Sequence, residues 1–154
     1  MQFLKIIFIM SFSLLLFAEK VEISSDSMEA KNLKKEIHFL GNVKISQLKN
    51  YLSGDKVIVY FNDNNKTKMY EAIGNVNFEF IKDKSHYKGS AKRVIYYPLK
   101  SVYILKEKAL IDDLINKRHI NGNEIMLNML TGKINIKGSK KKPVKFIFDM
   151  ENKK

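Results

Sequence analysis

A short sequence word, a glycine followed by an alternating apolar run, recurs through the chain at intervals of about 33 residues. Residues 41–45 (GNVKI) return as residues 74–80 (GNVNFEF) after 33 positions, and the run that begins at Gly54 returns at Gly89 and Gly122, after 35 and 33 positions. Self-similarity at such a period is typical of repeat architectures, in which neighbouring units share one apolar layer. Because apolar residues alternate within each word, the repeated unit is predicted to be a pair of β-strands.

Strand signals follow one another along almost the whole chain after residue 20. Turn-forming residues separate them at 62–65, 82–84, 98, 131–132 and 138–139, and Gly54 and Gly89 are also expected in turns. The segments that alternate or are rich in β-branched and aromatic residues are 21–23, 36–39, 43–45, 51–52, 57–61, 69–72, 76–80, 86–87, 93–97, 101–105, 109–111, 119–120, 124–128, 133–136 and 144–148.

Residues 107–118 carry a competing helical signal, since apolar residues at 110, 111, 114 and 115 fall at helical spacing. The repeat register favours a strand there, because Ala109 and Ile111 occupy the places that Val76 and Phe78 hold one repeat earlier. More than a dozen short antiparallel strands without a helix predict an all-β sandwich or an open barrel.

A stack of two-strand units has two ends, and each end would present unpaired backbone N–H and C=O groups. The last strand alternates cleanly, as a strand that pairs with another chain would. The predicted partner edges are Val21, Glu22 and Ile23 at the start, and Val144, Lys145, Phe146, Ile147 and Phe148 at the end.

Alternation also predicts which side chains point into the interior, since successive residues of a strand face opposite sides. The predicted inward set from alternation and repeat register comprises Val43, Ile45, Val57, Val59, Phe61, Val76, Phe78, Phe80, Val94, Tyr96, Ala109, Ile111, Ile125, Leu127, Ile134 and Ile136. Ile58 and Tyr60 fall on the opposite face, so the strand at 57–61 is apolar on both sides.

The N-terminus predicts export. Lys5 precedes an apolar stretch from Ile6 to Ala18, after which the sequence turns polar, the pattern of a secretory signal peptide. We expect residues 1–18 to be the signal peptide, or an uncleaved anchor, and residues 19–154 to form one domain. The stretch is shorter than the roughly 20 residues that a membrane helix needs. No cysteine is present, so packing and strand pairing must hold the exported domain together.

The chain is strongly basic, with 28 Lys and Arg against 16 Asp and Glu. A basic surface favours anionic partners such as phosphates or acidic lipid headgroups, and export argues against nucleic acid. Candidate catalytic groups are weak: His38, His86 and His119 lack the paired spacing of a metal site, and Asp112 and Asp113 would point to opposite faces of a strand. Neither an enzyme activity nor a cofactor is therefore predicted.

The chain resembles the OstA-like (LptA) family of periplasmic lipopolysaccharide-transport proteins over nearly all of the part that follows the signal. The words that carry the resemblance are residues 21–26 with Met28, 37–43 (IHFLGNV), 52–57 (LSGDKV), 74–76 (GNV), 87–91 (YKGSA) and 120–125 (INGNEI). Each word alone is a glycine and a strand, whereas their order and spacing together are specific. Residues 107–109 (EKA) depart from the glycine–asparagine word that the family has there.

This resemblance implies an open β-jellyroll of stacked antiparallel hairpins whose groove carries the acyl chains of lipopolysaccharide. It implies a conduit that passes the lipid from an inner-membrane complex to an outer-membrane translocon. The N-terminal edge would meet an LptC-like inner-membrane protein and the C-terminal edge an LptD-like outer-membrane protein, with head-to-tail self-association of copies. Ligand-facing positions of the family correspond to Val21, Ile23, Met28 and Phe78. Two alternatives stay open: an LptC-like subunit anchored by residues 6–18, and a polyanion- or polysaccharide-binding β-solenoid.

Overall fold

The structure is a computed structural model and describes residues 20–150. These residues form ten β-strands and one 3-10 turn at Asn32–Lys34. Within residues 20–150, no helix is long and apolar enough to cross a membrane. The predicted signal peptide lies outside the described residues. The strands are β1 (Glu22–Ser24), β2 (Ser27–Lys31), β3 (Glu36–Gln47), β4 (Asn50–Phe61), β5 (Thr67–Lys82), β6 (Ser85–Tyr97), β7 (Val102–Asp113), β8 (Arg118–Asn128), β9 (Ile134–Lys137) and β10 (Lys145–Phe148).

All ten strands belong to one antiparallel sheet. Strands β3 to β8 pair in sequence order, each joined to the next by a hairpin turn. At one end, β1 and β2 share β3, β1 pairing with its C-terminal part and β2 with its N-terminal part. At the other end, β10 and β9 divide β8 in the same way. The sheet is therefore open, with short strands at both ends.

A line of β-bulges crosses the sheet. An extra residue in a strand bends it locally and increases its twist, so a continuous line of bulges folds the whole sheet over. We name the two parts after their first strands: the β1 half also contains β10, and the β2 half also contains β9. The register shifts lie between Leu40 and Val43, Ser53 and Lys56, Ile73 and Val76, Ser90 and Arg93, and Lys106 and Ala109.

Glycine–asparagine pairs build two of these bulges. Gly41 and Asn42 have φ angles of 79° and 46°, and Gly74 and Asn75 have 82° and 47°. Glycine adopts this left-handed conformation without a steric cost, and asparagine tolerates it better than most residues. An aspartate supports each pair: the side-chain amide of Asn42 donates to Asp26, which lies between β1 and β2, and that of Asn75 donates to Asp55 in β4.

The third bulge of this kind keeps the geometry without the glycine. Glu107 and Lys108 have φ angles of 63° and 51°, close to those of the two glycine–asparagine pairs. Lys92 stands in the position of Asp55, and its Nζ lies 3.8 Å from Glu107 Oε2. The departure from the family word at residues 107–109 therefore leaves the bulge in place but holds two residues other than glycine and asparagine in a strained left-handed backbone conformation.

One hydrophobic core lies between the two halves. Its buried members come from the β1 half and the β2 half alike, for example Val43 and Val76 against Val57 and Leu105, all at most 1% exposed. Burial of such side chains between facing sheet halves is the main favourable term in the stability of a fold of this kind. Ile58 and Ile95 are also buried, but they lie outside this cluster, on the outer face.

The strands differ from the sequence-based expectation in length and number. Several predicted short strands, such as 51–52 and 57–61, are the two arms of one bent strand, β4. Gly54 and Gly89 lie within strands, and the prediction that they occupy turns was wrong. A strand, rather than a helix, was predicted over 109–111, and β7 confirms it. The two glycines were assigned wrongly because a glycine can lie inside a strand, at a bulge or where another group approaches closely, as well as in a turn between strands.

Candidate functional site

An elongated groove runs between the two halves. Its volume is about 420 Å³, and its lining extends from Val21 beside β1 to Phe146 in β10. Every strand from β3 to β8 contributes lining residues. Ligand pockets usually occupy about 300–1,000 Å³ and are mostly apolar, so this groove has the dimensions of a binding site.

The strand register sorts the inward residues into three layers by their distance from the bulge line. Each step along an inward-facing arm is two residues, because alternate side chains share a face. The first layer, next to the bulges, is fully buried and aliphatic: Val43, Val57, Ala72, Val76, Ala91, Val94, Leu105, Ala109 and Ile125, none more than 6% exposed. Val57, Ala72, Val94 and Leu105 of this layer form the floor of the groove, and the other five residues lie in the core behind it.

The second layer carries the large side chains. On the β2 half, a tyrosine ladder crosses three strands: Tyr70 and Tyr96 have ring centroids 6.0 Å apart, and Tyr96 and Tyr103 have theirs 4.2 Å apart. Burial raises the pKa of Tyr103, and the neighbouring Tyr96 adds to this effect, which further favours the neutral phenol. Stacked tyrosine rings present a wall that is apolar along its length and polar at its hydroxyl tips.

On the opposite wall, Phe78 pairs across the strands with Gly89. A β-carbon at Gly89 would overlap the Phe78 ring and would lie 2.7 Å from the backbone oxygen of Leu110. The glycine therefore makes room for the ring, a known use of glycine in a strand that faces an aromatic residue. The mid-strand glycine fixes how far Phe78 projects into the groove.

The third layer, at the mouth of the groove, combines the aromatic Phe80 and Tyr87 with polar groups. Gln47, Asn50, Asp113 and Arg118 all line the groove there. Asp113 is 4% exposed, and its carboxylate accepts hydrogen bonds from the backbone N–H and the side-chain amide of Asn116. Two N–H groups of Arg118 donate to the same carboxylate, from Nη2 at 2.6 Å and from Nε at 3.1 Å. Burial opposes ionisation of Asp113, but the hydrogen bonds from Asn116 and Arg118 outweigh it and hold the pKa of Asp113 below its ordinary value.

The inward residues predicted from the sequence fall into three groups in the structure. Only Met28 belongs to none of the three groups described next, because it is 62% exposed and does not line the groove. Those that line the groove are Val21, Ile45, Val57, Phe78, Phe80, Val94, Tyr96, Ile111, Leu127 and Ile134. Those that are buried in the core behind it are Val43, Val59, Val76, Ala109 and Ile125. Those that pack partly buried against the core are Ile23, Phe61 and Ile136.

Sequence reasoning missed part of the lining. Alternation, applied strictly to every strand segment on either side of the bulge line, would have identified four more lining residues, since they lie at alternate positions on the inward face: Leu52, Tyr70, Tyr87 and Tyr103. Asp113 and Arg118 also fall on the inward side by alternation, but a charged residue on a strand is ordinarily assigned to the solvent face.

The predicted partner strands lie at the ends of the sheet. β1, with Glu22 and Ile23, pairs with β3 alone, and β10, from Lys145 to Phe148, pairs with β8 alone. Val21 and Val144 lie just outside the strand bounds. Each of these strands has one edge without a partner among residues 20–150, and all of β10 is exposed.

The histidines lie in pairs with carboxylates rather than together. His38 contacts Glu36 at 2.8 Å, His86 contacts Glu79 at 2.6 Å, and His119 contacts Asp112. Within residues 20–150 no three or more His, Asp or Glu side chains form a cluster that could hold a metal ion.

The bent open sheet and its groove define a class: an open antiparallel β-jellyroll that encloses an apolar trough with a polar mouth. Residues 22–133 match the family model described as LptA/(LptD N-terminal domain) LPS transport protein, and the chain belongs to this lipopolysaccharide-transport family. The predicted family and the predicted open jellyroll are thereby confirmed.

A solved structure supports the fold. The chain is similar to the crystal structure of LptH, described as the LptA homologous periplasmic component of the conserved lipopolysaccharide transport device from Pseudomonas aeruginosa. The two have a TM-score of 0.74 and 15% sequence identity, over 86% of this chain and 96% of that chain. At this identity the similarity concerns the fold. No curated protein sequence matches the chain.

Proposed function

We propose that this protein holds the acyl chains of lipopolysaccharide in its groove and passes the lipid across the periplasm, from an inner-membrane complex to an outer-membrane translocon. The observation that carries the proposal is the layering of the groove. Aliphatic side chains form the floor, aromatic rings form the walls, and polar and charged groups stand at the mouth. An amphiphile with acyl chains and a polar head matches this order from floor to mouth.

Energetics favour chains as the occupant. Each CH₂ group removed from water contributes about 0.8 kcal/mol, so even part of one acyl chain outweighs the contribution of an exposed ion pair. The walls are repetitive, since each added hairpin supplies the same kind of inward residue, for example Ile45, Phe78 and Ile111. A succession of similar sites lets a chain move along the groove without meeting one site of much higher affinity.

The open ends suit a bridge. β1 and β2 at one end and β9 and β10 at the other leave backbone groups that an LptC-like and an LptD-like partner, or another copy of this chain, can pair with. The location in the periplasm and the single mature domain from residue 19 onward belong to the same proposal. So does the absence of an enzymatic role.

Site-specific photo-crosslinking tests the proposal. A photoreactive amino acid at Phe78 or at Ile45 would face the groove, whereas the same amino acid at the adjacent exposed residues Asn77 or Lys44 would face solvent. After incubation with lipopolysaccharide, we expect lipid adducts from the first two positions and little from the second two.

The matched neighbours make the outcome decisive, because each pair differs by one residue and shares the same strand. Equal adducts from both members of each pair would show surface adsorption, and adducts from none of the four, with the lipid bound, would place the lipid elsewhere. Either result rejects the groove as the binding site.

A further inference from the structure

Arginine is rare in this basic chain. Of 28 basic residues only Arg93 and Arg118 are arginine, and the other 26 are lysine. Each arginine lies beside a buried carboxylate, Arg93 beside Glu71 and Arg118 beside Asp113. Arginine offers five N–H donors in a fixed planar arrangement, so it can hold one anion and still present donors to a second.

The two arginines differ in where they lie. Arg93 pairs with Lys106 and Ile73 in the strand register, on the outer face, and is not part of the groove lining. Arg118 lines the groove in the third layer, next to the end of the sheet that carries β10. Among the side chains described for residues 20–81 and 83–150, Arg118 is the only arginine or lysine that lines the groove.

The two partners of the ion pair at the groove mouth differ in their exposure to solvent. The Asp113 side chain is 4% exposed, whereas the Arg118 side chain is 45% exposed. The carboxylate already accepts four hydrogen bonds, two from Asn116 and two from Arg118. Arg118 uses only Nε and Nη2 in this contact, and its Nη1 forms no hydrogen bond with any other described residue. Because the Asp113 carboxylate is buried and the Arg118 guanidinium is accessible, N–H donors of Arg118 remain available to an anion from outside.

We propose that Arg118 binds a phosphate group on the head of the acylated amphiphile in the groove, and that Asp113 and Asn116 position its guanidinium. This inference rests on the proposed function and adds a headgroup site to it. Guanidinium donors fit phosphate oxygens in two parallel hydrogen bonds, and a partly desolvated surrounding strengthens such a contact. Because Arg118 belongs to the mouth layer, a phosphate bound there leaves the attached acyl chains at the depth of the aromatic and aliphatic layers.

The test compares lipid A that carries its phosphates with the same lipid after phosphatase treatment. Affinity is measured on the purified protein by displacement of a fluorescent fatty acid from the groove. Arg118→Gln removes the charge, and Arg93→Gln is the matched control on the outer face. Since Arg118→Gln leaves Asp113 buried without its partner, the double variant Asp113→Asn/Arg118→Gln keeps a neutral hydrogen-bonded pair and guards against a folding defect.

We expect both Arg118 variants to bind the phosphorylated lipid about tenfold more weakly, the size of one charge-assisted hydrogen bond, and the dephosphorylated lipid as the wild type does. Arg93→Gln is expected to change neither affinity. Millimolar inorganic phosphate is expected not to displace the phosphorylated lipid, because the free ion lacks the chains whose burial dominates binding.

Several results would overturn the inference. Equal affinity of the wild type for both lipids, or an equal loss in Arg93→Gln, would show that no specific phosphate contact exists at Arg118. Displacement by inorganic phosphate would indicate a free-anion site. These results leave the groove intact as the acyl-chain site, whereas failure of the wild type to bind either lipid would reject the proposed function itself.

Discussion

The bulge at Glu107 and Lys108 gives a sharp prediction about stability. Two glycine–asparagine bulges on the same line have the same geometry and are each supported by an aspartate, Asp26 or Asp55. Residues 107 and 108 adopt that geometry with ordinary side chains. The triple substitution Lys92→Asp/Glu107→Gly/Lys108→Asn installs the glycine–asparagine–aspartate arrangement at this position.

The expected gain follows from the contacts. Relief of the left-handed conformation at position 107 contributes about 1–2 kcal/mol, from which about 0.4–1 kcal/mol is lost because glycine makes the unfolded chain more flexible. The exposed pair between Lys92 and Glu107, 3.8 Å apart, is worth at most about 0.5 kcal/mol. The introduced amide-to-carboxylate hydrogen bond adds about 0.5–1 kcal/mol. The net expectation is a stabilisation of about 1 kcal/mol.

Urea unfolding followed by circular dichroism measures this difference, with a rise in melting temperature of roughly 3 °C as a second readout. Gly74→Ala is the reciprocal control: its φ of +82° and a β-carbon against the Asp55 side chain predict a loss of about 1–3 kcal/mol. If the triple variant were less stable than the wild type while Gly74→Ala was also destabilised, conformational strain at residue 107 would not be the cost that we infer.

Three further predictions concern the groove. Phe78→Glu is expected to impair lipopolysaccharide binding at least tenfold more than Asn77→Glu at matched protein levels, because it buries a charge in the apolar wall; equal effects in a binding assay would contradict the inward orientation. Gly89→Ala is expected to destabilise the fold by about 1–3 kcal/mol by overpacking against Phe78, and urea unfolding should show this loss shrinking in a Phe78→Ala background. Asp113→Asn is expected to lower the free energy of unfolding by about 1–3 kcal/mol at pH 7, because the lowered pKa of Asp113 stabilises the fold above about pH 4. This contribution disappears as pH falls through the folded-state pKa of Asp113, so a difference in stability from the wild type that stays constant from pH 7 to pH 2 in thermal unfolding would refute the prediction.

The repeat and the alternation predicted much of the fold. The spacing of the glycine words indicated stacked hairpins, and parity identified Ile45, Phe78, Tyr96 and Ile111 as inward-facing. Parity alone did not separate the residues that line the groove from those buried behind it, such as Val43 and Val76. That separation depends on how the two folded halves of the sheet face each other, and the bulges that fold them shift the register by amounts that a period of two cannot reveal.

Met28 shows a second limit of the sequence. It was assigned to the groove by its resemblance to a family position, yet it lies in β2 at the open end of the sheet and is 62% exposed. A residue on a terminal strand has a neighbour on one side only, so its burial depends on what pairs with that edge.

The amino-acid sequence by itself determined that this chain is a stack of β-hairpins with one apolar face, because a period of two in side-chain direction is a local property of extended backbone. The tertiary structure decided which apolar residues reach the groove and which charged ones join them. Asp113 and Arg118 meet because β7 and β8 pair in one register, and they line the groove because the bulges fold both arms inward. Such contacts are set by pairing between strands and by the angle between two sheet halves, and neither is written in the order of residues along a single strand.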